Sequence, residues 1–354
     1  MSDNELIINV VGDVCLQNIL QDNYTFSEEV KRVFSEGDLN LANLESPLTY
    51  SENQLKYRPS NLKGIPQMND ILNSFDIFSL ANNHIMDFQE EGLCETMDFL
   101  TKNDKVFFGA GKNKKEALKS LVVERKNIKI AFIGFTRFSN ASNTRMGAAP
   151  EDLRTVFSEI KKQKQAGCFV IVYPHWNYEW VDYPAPDERK KGHKLIDAGA
   201  DIVVGAHPHI VQGFEIYKGK SIFYSLGNFV FKNTKYTKQI PQYGRSFILK
   251  IILSSSHNYR TEIFPVYSSN DGVEPMNGAE RKSFESHFQS ISEVLKDKKK
   301  STKLFYETSM FIEKNNQFVF GELKKNGGVK AILSAYKKAN MQDVKRKIYA
   351  FFHK

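Results

Sequence analysis

Short runs of Ile, Val, Leu and Phe recur along most of this chain, each closed by polar residues and followed by an amphipathic stretch. That alternation constrains the fold more than any other feature of the sequence. The runs predict strands at Leu6–Gly12, Asp38–Asn43, Asp76–Ala81, Val106–Gly109, Lys129–Phe135, Cys168–Pro174, Asp201–Gly205, Ser221–Tyr224, Ser246–Leu253 and Glu262–Val266. Between them, apolar residues at three- and four-residue spacing predict helices at Gln89–Asn103, Glu151–Ala166 and Asp187–Ala198. Strand, helix, strand repeated in this way predicts α/β layering, with helices packed over sheet faces. After Val266 the pattern changes. Ser268-Ser269-Asn270-Asp271-Gly272 is turn-rich, and from Ala279 onward the sequence reads as helices, including Arg281–Leu295 and Val329–Phe352. A boundary is therefore expected near residue 270, with 1–270 as the main domain and 271–354 as a basic, mainly helical extension.

Of 354 residues, 41% are hydrophobic and 25% charged, which excludes a disordered or fibrous chain. The formal charge is +8, but residues 279–354 carry 17 basic and 8 acidic side chains, leaving residues 1–278 at −1. Basicity is thus a property of the tail, where a solvated helix face is expected and no nucleic-acid partner. The polar start Met1–Glu5 lacks Lys and Arg, and the apolar run Leu6–Val11 is too short for a signal-peptide core. No window approaches the ~18 apolar residues of a membrane span. A cytoplasmic chain is expected, with Cys15, Cys94 and Cys168 as reduced thiols, since their wide spacing offers no CxxC pair.

The residues able to do chemistry sit just past the predicted strands: Asp13, Glu45, then Asn82, Asn83 and His84, then His175, then His207 and His209. Asp, Glu, Asn and His are the hard and borderline donors that suit divalent cations. In open α/β sheets ligands bind at the carboxyl ends of strands. In His207-Pro208-His209 the two imidazoles, at i and i+2 across a proline, can face one side of a loop mouth. Gly109-Ala110-Gly111-Lys112-Asn113 lacks the spacing of a phosphate loop and reads as a turn opening a helix at Lys114. No serine lies in a GxSxG elbow. His193 reads as structural, and Cys15 as a packing residue or a neighbour of a metal site.

Taken together, Gly12-Asp13-Val14, Asn43-Leu44-Glu45, Ala81-Asn82-Asn83-His84 with Asp87 and Gly92, His175-Trp176 with Glu179, and the stretch from Ala198 through His207-Pro208-His209 to Tyr224-Ser225-Leu226-Gly227-Asn228-Phe229 resemble the bacterial CapA family. That family is named for capsule and poly-γ-glutamate synthesis and looks like a branch of the calcineurin-type metallophosphoesterases. The resemblance runs over roughly residues 6–268. It implies a four-layer α/β/β/α sandwich holding two divalent metal ions (Mn, Fe or Zn). Asp13, Glu45, Asn83, His175, His207 and His209 would be the ligands, with Asn82 and Glu179 beside them. His84 would protonate the leaving group and Asp87 would orient it. Two departures are plain: Cys15 stands third in the superfamily's Asp-x-His motif, and Glu45 stands where an Asp is usual. Arg58 and Arg137, in loops, can contact an anionic small-molecule or polymer substrate bidentately. The expected function is a metal-dependent hydrolase, foremost a phosphoesterase, in capsule or cell-surface polymer synthesis. Two other readings stay open: a non-catalytic accessory subunit, and a γ-glutamyl amide hydrolase using the same site. The tail is expected to pack on the sandwich or mediate association, leaving the site complete without it.

Overall fold

Strand Leu6–Val14 is buried along its whole length, as the hydrophobic run LIINVV requires of a strand covered on both faces. In the computed structural model, which describes residues 5–19, 24–56, 60–232, 240 and 242–310, this strand lies inside a nine-stranded sheet. From one edge the strand order is Thr25–Phe26, Gly272–Pro275, Tyr259–Ser268, Arg245–Leu253, Leu6–Val14, Leu39–Leu44, Ile77–Ser79 and Val106–Phe108, with Asn228–Val230 paired to the end of Leu6–Val14. A second, six-stranded sheet runs Val211–Tyr217, Lys220–Leu226, Ile202–Val204, Phe169–His175, Ile128–Thr136, Leu121–Arg125.

Each sheet has a parallel centre, so its strands deliver their carboxyl ends to one edge. The faces follow from the two-residue period. Leu6, Ile8, Val10, Leu39, Leu41 and Ile77 of the first sheet meet Ile130, Phe132, Phe169, Ile171, Tyr173, Ile202 and Val204 of the second in one apolar layer. The outer face of the first sheet is covered by helices Glu28–Ser35 and Gln89–Lys102 through Val30, Val33, Phe34, Leu93 and Leu100. Helices Leu153–Gln165 and Pro186–Asp197 cover the second through Val156, Ile160, Leu195 and Ile196. The architecture is the α/β/β/α sandwich.

One irregularity matters for the site. Between Val10 and Asp13 the register against Leu39–Leu44 slips by one residue, a bulge. Val11 and Val14, three apart, therefore both pack on the helix side. Asp13 is turned instead toward the second sheet. Gly12 sits inside the bulge, where an added Cβ would fall 1.9 Å from the Gly227 carbonyl oxygen.

The sheet and core run across residue 270. Gly272–Pro275 pairs antiparallel with Tyr259–Ser268 and parallel with Thr25–Phe26. Helix Gly278–Val294 then inserts Phe284, Phe288 and Ile291 into the layer between the sheets. Residues 298–310 form a further helix, whose Phe305 and Tyr306 pack on Val181 and Ala185. The predicted helix Val329–Phe352 lies outside the described residues. Among those described, no helix is long and apolar enough to cross a membrane.

Candidate metal centre

Strand period and the bulge bring the predicted residues together. Asn43 and Glu45 continue the inward positions of Leu39 and Leu41, and His175 continues those of Phe169, Ile171 and Tyr173. Asn82 pins the turn after Ile77–Ser79. Its amide donates to Leu44 O at 2.8 Å and Asn43 Oδ1 at 3.1 Å, while its Oδ1 accepts from the backbone N–H groups of His84 and Ile85. That turn places the Asn83 Oδ1 2.8 Å from His175 Nε2. On the second sheet, His207 and His209 take left-handed backbone conformations (φ 98° and 60°), as do Asn177 and Trp180 of the adjoining loop (φ 68° and 63°). Such residues each cost on the order of 1–3 kcal/mol and cluster where function over-determines the backbone.

The donor atoms converge. His175 Nδ1 lies 4.0 Å from Asp13 Oδ1, and His175 Nε2 lies 3.8 Å from Glu45 Oε1. His209 Nδ1 and Nε2 lie 3.7 Å from Asp13 Oδ2 and 3.8 Å from Glu45 Oε1. Three sets each offer donor atoms within 4.8 Å of one another: Glu45, His175 and His207; Asp13, Glu45 and His209; Glu179, His207 and His209. Ligands held roughly 2.0–2.2 Å from a common ion have spacings of this order.

Electrostatics supports a cation there. Asp13 is held by Asn43 Nδ2, which donates to Oδ1 at 2.8 Å, and by the His207 backbone N–H, which donates to Oδ2 at 3.2 Å. Glu45 is fully buried, and neither of its oxygens has a hydrogen-bond partner among the described residues; His207 Nδ1 is orphaned likewise. Burial pushes the Asp13 carboxyl up and the Glu45 carboxyl well above the usual range, the latter also through the charge of Asp13. Burial holds the His175 and His207 imidazoles well below theirs. Two unsolvated carboxylates facing neutral imidazoles are costly unless a cation joins them. The carboxylate and imidazole donors therefore fit divalent metals of the Mn, Fe or Zn kind.

His84 stands at the rim with its side chain 12% exposed, and its Nδ1 is 2.6 Å from Oδ2 of the buried Asp87. The same Asp87 oxygen accepts the Leu62 N–H at 2.7 Å, which ties the pair to the loop after Glu45. The imidazoles at the mouth are walled by aromatics. Phe138 lies 5.3 Å from His207, Trp180 stacks on His209 at 5.0 Å, and Phe231 meets His209 edge-on.

Arg58 lies outside the described residues. Arg137 is near the cluster, but its guanidinium donates to the Asn177 carbonyl at 2.8 Å, lies 3.5 Å from Glu188, and packs over Phe138 and Tyr178. It braces the loop that carries Glu179. Cys15 is buried, and burial pushes its thiol up to about 12. His193 is structural, 2.8 Å from Glu215 and stacked on Tyr217. Two residues quoted only within motifs have definite work: Asn43, and Asn228, whose Oδ1 accepts from His209 Nδ1 at 2.8 Å. Asn43 was marked by inward parity one step before Glu45. Asn228 needed the pairing of Asp13 with Asn228 to be known.

Residues 7–233 match the family described as "Bacterial capsule synthesis protein PGA_cap". The chain is 31% identical over 246 residues to the PGA biosynthesis protein CapA of Bacillus subtilis (strain 168), covering 65% of this chain and 64% of that protein. It is 29% identical over 255 residues to the capsule biosynthesis protein CapA of Bacillus anthracis, covering 65% and 60%. It thus spans less than two thirds of the length of either relative. A crystal structure described as a novel phosphatase of Mycoplasma pneumoniae aligns with a TM-score of 0.44 at 13% identity, over 75% of this chain and 94% of that one.

Proposed function

Because this chain belongs to the bacterial capsule synthesis family PGA_cap, we propose that it is a metal-dependent hydrolase, foremost a phosphoesterase. Its substrate is an anionic small molecule or polymer, processed in the making of a capsule or other cell-surface polymer, poly-γ-glutamate or polysaccharide. One observation carries this reading: the buried, unpartnered Glu45 carboxylate facing imidazoles of His175 and His209. Asp13, Glu45 and His209 would hold one divalent ion, and Glu45, Asn83, His175 and His207 the other. Ions so held supply Lewis-acid activation of water and charge compensation on phosphoryl oxygens.

The chain's own residues do the rest. Asn43 and the His207 amide fix Asp13, and Asn82 fixes the turn that presents Asn83 and His84. Asp87 accepts from His84 Nδ1, orients the ring and leaves Nε2 to give a proton to the leaving oxygen. Phe138, Trp180 and Phe231 exclude water around the imidazoles.

The test is metal analysis followed by a panel of phosphate esters and γ-glutamyl peptides. His84→Ala should keep the metals and slow turnover about 10²–10⁴-fold. The loss should shrink for nitrophenyl esters, whose leaving groups need little protonation. Metal-loaded protein that hydrolyses neither substrate class overturns the hydrolase reading. Cleavage confined to γ-glutamyl amides overturns the phosphoesterase part, and an unaltered rate in His84→Ala removes the role assigned to His84.

A further inference from the structure

We propose that Glu179 is an exchangeable ligand that caps the metal centre from its solvent side and yields its place to an incoming anion. The inference rests on the dinuclear reading of the site. Glu179 forms a donor set with His207 and His209, within 4.8 Å. Each of these imidazoles also belongs to one of the two inner sets, His207 with Glu45 and His175, His209 with Asp13 and Glu45. Glu179 therefore reaches both halves of the centre, as Glu45 does. The two differ in burial: Glu45 is fully buried and Glu179 is exposed. One carboxylate spans the centre from the floor, the other from the mouth.

A further observation points to a ligand at this place: His207 is 4% exposed, and its Nδ1 has no hydrogen-bond partner among the described residues. The loop bearing Glu179 is held against the imidazoles: Trp180 N–H donates to Pro208 O at 2.9 Å, Asn177 Oδ1 accepts the Ala185 N–H at 3.0 Å, and Arg137 donates to Asn177 O. The backbone is fixed while the carboxylate remains at the surface. A carboxylate and a phosphate present the same hard, anionic oxygens to a divalent cation, so they compete for one coordination position.

Mn²⁺ binding by calorimetry and electron paramagnetic resonance tests this in wild type, Glu179→Gln and, as a charge control, Glu124→Gln on the exposed edge strand. Each protein is titrated with Mn²⁺ alone and, once loaded, with inorganic phosphate; thermal melts confirm folding. Glu179→Gln should bind Mn²⁺ about 10–100-fold more weakly in the weaker step, a loss of the size seen when groups supporting a metal site are removed. Its loaded form should bind phosphate more tightly than wild type, and Glu124→Gln should match wild type in both. Equal Mn²⁺ and phosphate affinities in Glu179→Gln and wild type overturn the inference and leave the dinuclear reading intact. Weaker phosphate binding in Glu179→Gln makes Glu179 a fixed ligand and overturns the exchange. Wild-type protein that takes up no Mn²⁺, Fe²⁺ or Zn²⁺ overturns the dinuclear reading, and this inference with it.

Discussion

Asn43 carries no charge and sits near the end of a buried strand, yet it organises much of the centre. Its Nδ2 donates to Asp13 Oδ1 and lies 3.5 Å from His175 Nδ1, while its Oδ1 accepts from Asn82. It joins a carboxylate of one strand to the turn that presents Asn83 and His84. Asn43→Leu keeps the volume and removes the donor. Mn²⁺ affinity should fall about 10–100-fold, read by calorimetric titration, with the fold retained in circular dichroism. An unchanged affinity would show that Asp13 is oriented by the His207 amide alone. The charged and imidazole members of the cluster were legible because each lies one step past an apolar run. Asn82 and Asn83 share that position, but Asn43, inside its strand, is marked by parity alone and looks the same whether it fills space or holds a ligand.

Among elements, the bulge in Leu6–Val14 has the largest effect on the site. Strict alternation from Leu6, Ile8 and Val10 puts Asp13 on the helix side; the slipped register turns it toward the second sheet. The bulge is packed without slack, because Asp13 N–H donates to Gly227 O at 3.1 Å and a Cβ on Gly12 would strike that same oxygen. Gly12→Ala must push two backbones apart, at a cost of about 1–3 kcal/mol or more. Urea unfolding should show a lowered midpoint, and the folded variant should bind Mn²⁺ more weakly; a variant with wild-type midpoint and affinity would mean that the strands part freely. Sequence pattern located the central strands because burial on both faces leaves continuous apolar runs. It passed over Leu121–Arg125 and Val211–Tyr217, whose residues are largely half-exposed or exposed and so mix polar with apolar side chains. It also passed over helix Glu28–Ser35, marked only by the Ser27 cap and two acidic residues in the first turn. The bulge was beyond it, being set by Gly227, more than two hundred residues away in the chain.

At the scale of the whole molecule, the turn at Ser268–Gly272 reads as an end but leads into the core. Chain stopped at 270 lacks the strand Gly272–Pro275 and the Phe284, Phe288 and Ile291 side chains that fill the layer between the sheets. Each lost phenylalanine is worth about 3–5 kcal/mol, against a total stability of roughly 5–15 kcal/mol for a typical domain. Residues 1–270 should therefore fail to give a cooperative melt, whereas residues 1–310 should melt cooperatively and bind metal. A folded, metal-binding 1–270 would show that the layer between the sheets holds without helix Gly278–Val294. The donors are also divided between the layers. Asp13 lies in, and Glu45 and Asn83 follow, strands of the first sheet, while His175, His207 and His209 belong to the second. An ion held among them would be a rivet through two plates that otherwise adhere by apolar side chains. At a hundred times its dissociation constant it adds about 2.7 kcal/mol to their cohesion. Metal supply would then govern how long the protein survives, so that scarcity of the ion would shorten the lifetime of the sandwich itself.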